Sequence, residues 1–200
     1  MRAIALALAL GSALGAQIPD PPTEAFFKGD PTQVMLACAE RAASLKPRKD
    51  RVLAQVGRAH LIAGDRVKAE AYFQRIVGGD GEAYRWMGQA WLECGSPKVG
   101  VAALIKVAEQ DPTAKNIQRD AAVVLMDWGF AKEAGTVMTG AFQVAPRDWQ
   151  NVTAFGRACL RQKRQDLAAI WFERIMTTRR KTEGLWNEIA LAFADQGAER

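Results

Sequence analysis

This sequence predicts an all-α protein built as a row of stacked helix–turn–helix pairs, and three observations carry the prediction. After Pro31 the chain shows no strand-like alternation of apolar and polar residues. It is instead a series of helical patterns of about 12–15 residues, split by short Gly, Asp or Pro breaks. The small and large residues of those patterns then recur at an interval of 34 residues.

The elements follow in order. The N-terminus, MRAIALALALGSALGAQ, sets Arg2 before an apolar run from Ala3 to Leu10 and then small residues. That is the layout of an export signal, and the run is far shorter than the roughly 20 residues that span a bilayer. Residues 1–16 are expected to be a signal peptide, cleaved after Gly15 or Ala16. The mature chain is expected to be periplasmic or secreted, with no transmembrane segment. No cysteine lies near the cleavage point, which argues against a lipoprotein anchor. Residues 17–30 are rich in proline and polar side chains and predict an extended lead-in, with one helical turn around Ala25-Phe26-Phe27.

Residues 31–200 form the repeat domain. A leading helix is expected over 31–45, with Asp30 as N-cap and Pro31 at the first helical position. Four pairs follow, each with a first helix A and a second helix B: 50–63 and 66–77, 81–94 and 97–110, 114–128 and 131–144, 148–162 and 165–178. A last A helix is expected over 183–196. Gly64, Gly95, Gly129 and Gly197 stand where glycines stop helices, and Lys163 takes that place after the fourth A helix.

The registers agree along the chain. Small residues fall at Gly57, Gly88, Ala122, Gly156 and Ala190 in the A helices. Twelve residues after the first four come Ala69, Gly100, Ala134 and Ala168 in the B helices, each followed four residues later by Phe73, Leu104, Met138 or Phe172. Large or apolar residues fall three after the A-helix series, at His60, Trp91, Leu125, Cys159 and Phe193. Leu53, Tyr84, Gln118, Val152 and Trp186 stand four before it. This pattern resembles the tetratricopeptide repeat, a helix–turn–helix unit of 34 residues. The resemblance covers about residues 31–197. It implies a right-handed α-solenoid with about four full units and partial units at both ends. The first full unit spans only 31 residues, and the loss lies between Phe73 and Tyr84, which predicts disturbed packing between the first two units. Physical chemistry points the same way: a helix such as RVKAEAYFQRIV cannot hide its apolar stripe alone and must stack on its neighbours.

Catalytic chemistry finds little to work with. His60 is the single histidine, which leaves a histidine metal site or a Ser-His-Asp triad without members. The glycines form no phosphate loop. Cys38, Cys94 and Cys159 are far apart, include no C-x-x-C, and are expected to be buried free thiols. The expectation is a protein that is not an enzyme and uses no cofactor or metal. The formal charge is +5 with basic residues scattered through the chain. The basic runs RQKRQ (161–165) and TTRRK (177–181) lack interleaved aromatics, so nucleic acid is not expected.

What remains is recognition. The resemblance implies that A helices line a concave groove for an extended peptide or partner helix. Carried over by register, the groove positions are Arg51, Ala54, Arg58 and Leu61; Arg85, Trp86, Gln89 and Glu93; Arg119, Val123 and Met126; Thr153, Arg157 and Arg161; Asn187 and Leu191. Six arginines on one face suit an acidic or C-terminal carboxylate peptide, anchored near Trp86 and Met126. In YRWMGQAWLECG (84–95), the two tryptophans lie roughly 140° apart around the helix. Trp91 is expected in the core and Trp86 at the partner. The functional expectation is a scaffold or adaptor in bacterial cell-envelope assembly. Two alternatives stand beside it: a self-associating module that buries an exposed end such as the last helix, and an accessory domain of a longer envelope enzyme.

Overall fold

The computed structural model describes residues 18, 22–78, 80–178 and 183–198, with side chains through Asp195. The expected signal peptide and the cleavage point lie outside the described residues, as do parts of the lead-in and residues 179–181 of the second basic run. Eleven helices and no strand occur among the described residues. They are α1 (Glu24–Phe27), α2 (Pro31–Leu45), α3 (Asp50–Ile62), α4 (Arg66–Phe73), α5 (Gly81–Glu93), α6 (Pro97–Gln110), α7 (Lys115–Asp127), α8 (Ala131–Val144), α9 (Trp149–Arg161), α10 (Gln165–Thr178) and α11 (Glu183–Ala198). Odd-numbered helices from α3 onward are A helices; even-numbered ones are B helices. Each A helix from α3 to α9 packs on its own B helix and on the next A helix, which is the stacking of a tetratricopeptide-type α-solenoid.

Local chemistry sets the boundaries. Asp30, Asp65, Asp80 and Asp148 cap helix N-termini with side-chain oxygens 2.9–3.3 Å from backbone N–H groups of Gln33, Lys68, Glu82 and Asn151. Gly64, Gly95 and Gly129 adopt left-handed φ values of 81°, 77° and 84°. Lys163 adopts 57° at the same place after α9. Each of these turns is closed the same way. The N–H of the next residue donates to the carbonyl of His60, Trp91, Leu125 or Cys159 at 2.8–2.9 Å.

The small residues sit where the helices of a pair cross. A Cβ on Gly57 would lie 2.4 Å from the ring of Phe73, and one on Gly156 would lie 2.3 Å from the ring of Phe172. Gly88 meets Leu104 in the same manner, at 2.6 Å. The core divides at α5. Trp91 closes a first cluster with Leu53, Ala69 and Phe73, whereas Leu92 belongs to a second that runs unbroken through Phe155 and Phe172 to Ala192.

Four expectations need correction. Helix α4 stops at Phe73, not 77, because the shortened unit leaves no room for the last turn. Ile76 is still buried, and the N–H of Gly78 donates to Asp50 Oδ2 at 3.0 Å. Helix α11 runs through Gly197 to Ala198, since no further helix among the described residues demands a reversal there. Trp186, Ala190 and Phe193 are exposed, and among the described residues no B helix lies on that side of α11. Only Cys159 is a buried thiol; Cys38 and Cys94 are exposed because their helices turn that side away from the core.

Candidate interaction face

The exposed stripe of the A helices is built from one repeated register. In α3 it runs Arg51, Gln55, Arg58 and Ile62; in α5, Glu82, Trp86, Gln89 and Glu93. In α7 it is Asn116, Asp120, Val123 and Asp127, and in α9, Gln150, Ala154, Arg157 and Arg161. This is one position away from part of the expected groove. Ala54, Leu61, Met126 and Thr153 are buried between helices, so Met126 lies in the core and is not available as an anchor. The physical reason is the crossing: these residues adjoin the small registers that meet the B helix, and their side chains turn inward with them.

The six expected arginines are all on or beside this face, and each holds a carboxylate of the same chain. Arg51 Nε lies 2.9 Å from Asp80 Oδ2. Arg58 grips Glu93 with two bonds, at 2.8 and 3.1 Å. Arg85 pairs with Glu82 at 2.5 Å, and Arg119 with Asp120 at 2.7 Å while it donates to Asn151 Oδ1 at 2.9 Å. Arg157 meets Glu188 at 2.7 Å, and Arg161 meets both oxygens of Asp127 at 2.8 Å. Several of these pairs join successive A helices, as does Lys115 with the α9 cap Asp148 at 2.5 Å. The face is therefore a ladder of ion pairs between units. The arginines were legible from sequence, but their partners were missed. The signal existed: Glu93, Asp127 and Asp195 share one register.

Charge is felt in the carboxyls. Hydrogen bonds from Arg85 hold Glu82 below the usual glutamate range against the opposing effect of burial. At Asp148 burial pushes upward, but Lys115 and two backbone N–H groups outweigh it and lower the carboxyl. Cys159, by contrast, is pushed up to about 12 by burial, which leaves it an unreactive thiol.

Trp86 is half-buried and has two arginines near its ring, Arg85 at 4.3 Å and Arg58 at 5.9 Å from its centre. Both guanidiniums are thus shared between an aromatic face and a carboxylate. Next to them a hollow of about 210 Å³ is bounded by Arg58, Leu61, Ile62, Ala90, Glu93 and Cys94. Ile62 is 58% exposed at its rim. Gln89 donates to Glu93 at 3.0 Å, and Val123 is partly buried.

His60 is buried as expected, but in a polar setting. Its Nε2 lies 2.7 Å from Glu40 Oε1 of α2, and Tyr72 of α4 donates to the other oxygen of Glu40. The imidazole stacks on Tyr72 at 5.6 Å. Burial, followed by the bond to Glu40, pushes the Tyr72 hydroxyl up to about 12. Three helices are tied at one point. Among the described residues no group of three or more His, Cys, Asp or Glu is placed to hold a metal ion.

No family model matches the chain, and no curated protein matches it. Solved structures do. MamA is 17% identical over 76% of this chain and 90% of its own, with a TM-score of 0.45. YrrB, described as a TPR protein with an unusual peptide-binding site, is 14% identical over 81% of each chain, with a TM-score of 0.46. At such scores the architecture stands on its own helix pairs and registers.

Proposed function

We propose that the chain is a non-catalytic scaffold that holds a peptide or partner helix on the exposed stripe of its A helices, centred on Trp86 and Ile62. The observation that carries this is the combination of an apolar platform with a neutralised frame. Each arginine around Trp86 is already paired, so the frame is rigid and needs no ligand charge. The hollow beside Ile62 admits an apolar side chain, and a flat aromatic on a fixed helix is a low-entropy anchor. An acidic or carboxylate-ended ligand is the finer form of the reading. It would have to exchange for Glu82 on Arg85 or for Glu93 on Arg58. With residues 1–16 read as an export signal, the work would be done outside the cytoplasm, in assembly of a bacterial cell envelope.

The test is a photo-crosslinking residue placed at Gln89 on this stripe and, as control, at Val99 on a B helix. Capture of a discrete partner at Gln89 alone, lost in Trp86→Ala with helicity unchanged, is the expected result. Equal yields from the two positions would sink the reading.

A further inference from the structure

In a stack of antiparallel pairs, the turns that lead from a B helix into the next A helix lie along one edge. That edge is uneven here. The end of α2 and the turn into α3 read RAASLKPRK (41–49), with Arg41, Lys46, Arg48 and Lys49 and no Asp or Glu. All four cations are exposed, and among the described residues none is held in an ion pair. The later turns of the same edge differ. Asp111 and Asp148 stand in them, and Lys115 is paired with Asp148 at 2.5 Å.

The segment after the short helix α4 folds onto this basic turn. Arg75 donates to the carbonyl oxygen of Pro47 at 2.9 Å, and the N–H of Gly78 donates to Asp50 Oδ2 at 3.0 Å. These bonds set a fifth cation and Val77 beside the turn. Val77 is 87% exposed, and Leu45, one helical turn from Arg41 on α2, is 64% exposed. Acids of the neighbouring helices are engaged elsewhere: Asp80 with Arg51 at 2.9 Å, and Glu40 with His60 and Tyr72.

We propose that this corner is a peripheral docking site for an anionic lipid surface. Its five cations and two projecting apolar tips are the two halves of such a contact. Guanidinium and ammonium groups hold lipid phosphates, while Leu45 and Val77 enter the headgroup layer. Side chains this exposed line no hollow for a peptide. They suit a soft surface that closes around them, whereas a folded acidic protein would have to bring hollows of its own. The contact is with the headgroup layer only; among the described residues no helix is long and apolar enough to cross a bilayer. The corner shares no residue with the stripe around Trp86, so a chain seated on a membrane in this way keeps that stripe unused.

Sedimentation of the full chain with vesicles of one part phosphatidylglycerol to two parts phosphatidylcholine tests it. The chain should sediment with these and stay in solution with pure phosphatidylcholine vesicles. Each cation near such a leaflet is worth roughly a fivefold gain in partition, so Arg48→Glu with Lys49→Glu should weaken binding about 25-fold or more, with helical circular dichroism unchanged. Lys98→Glu with Lys132→Glu makes the same change of net charge in the first turns of α6 and α8, on the opposite edge, and should do far less. Molar salt, which shortens the screening length to about 3 Å, should release the chain. Leu45→Ser with Val77→Ser should weaken binding about tenfold. Brominated acyl chains should quench the added fluorescence of Val77→Trp but not that of Val99→Trp. Absence of sedimentation with the anionic vesicles overturns the proposal, as does equal loss from the two charge-reversed pairs. Polyglutamate bound as tightly as the vesicles, with Val77→Trp unquenched, would assign the corner to an acidic chain and overturns it too.

Discussion

The pairs α3–α4 and α9–α10 share one crossing, a glycine beneath a phenylalanine ring, yet they are supported differently. In α9–α10 the B helix runs 14 residues. Phe155 is fully buried, and its ring meets Trp171 edge-on at 5.5 Å, with Phe142 also edge-on to Trp171 at 5.9 Å. In α3–α4 the B helix has eight residues, and its outer flank is held by the His60–Glu40–Tyr72 contacts and by Asp50 on Gly78. Where the repeat loses three residues, apolar area is lost from the B helix, and directional polar bonds from α2 and α3 take over. Dispersion contacts are many and replaceable singly; a three-residue polar junction is not.

The comparison is broken most directly in the apolar half. Phe155→Ala should cost about 3–5 kcal/mol, read as a drop in the denaturant midpoint, because the surrounding rings cannot collapse into the space. Adding a methyl group sharpens the contrast. Gly156→Ala should cost about 1–3 kcal/mol through overpacking against Phe172. Gly57→Ala should cost less, since Phe73 ends a short helix and can give way; equal losses would show that α4 is as firmly held as α10.

The polar half has its own test. Glu40→Ala leaves buried His60 Nε2 without its partner and should cost about 1–2 kcal/mol. Hydrogen exchange should quicken in α2 and α4 while α7 to α10 stay protected. The pH dependence has a definite sign. Burial tends to raise the Glu40 carboxyl, but the bonds from Tyr72 and His60 and the charges of His60 and Lys68 bring it below its ordinary 4.5. A carboxylate with a depressed folded pKa stabilises fully above its unfolded pKa. That contribution is lost as pH falls through the folded value, so α2 should loosen below pH 4.5 before α9–α10 does. The smallest effect belongs to the ion-pair ladder: Arg161→Ala should change stability by about 0–1 kcal/mol in thermal melts, because both partners are exposed.

Much of this was legible in the sequence. Gly57, Gly88 and Gly156 were readable because each meets a large residue at a set distance along the chain. The bounds of α2, α6, α8 and α10 were readable for the same reason, since their apolar stripes are long and regular. What escaped is relational. Whether Met126 or Val123 faces outward depends on a rotation of a few tens of degrees, which is set by the neighbouring helix and not by α7 itself. The arginines could be found one at a time, but their charge could be judged only after the facing acids were placed. The exposure of Trp186 and Phe193 is likewise a property of what stands next to α11.

The turn after α9 carries a last consequence. Lys163 holds the left-handed backbone that glycine holds in three sister turns. That conformation costs a side-chain-bearing residue about 1–2 kcal/mol, and glycine's extra freedom in the unfolded chain offsets part of the relief it would bring. One turn of the array thus tolerates a residue other than glycine, as the crossing of α7 with α8 tolerates Ala122. Descent from a common unit is thus recorded at both registers, by glycine at 57, 88 and 156 in the crossings and at 64, 95 and 129 in the turns.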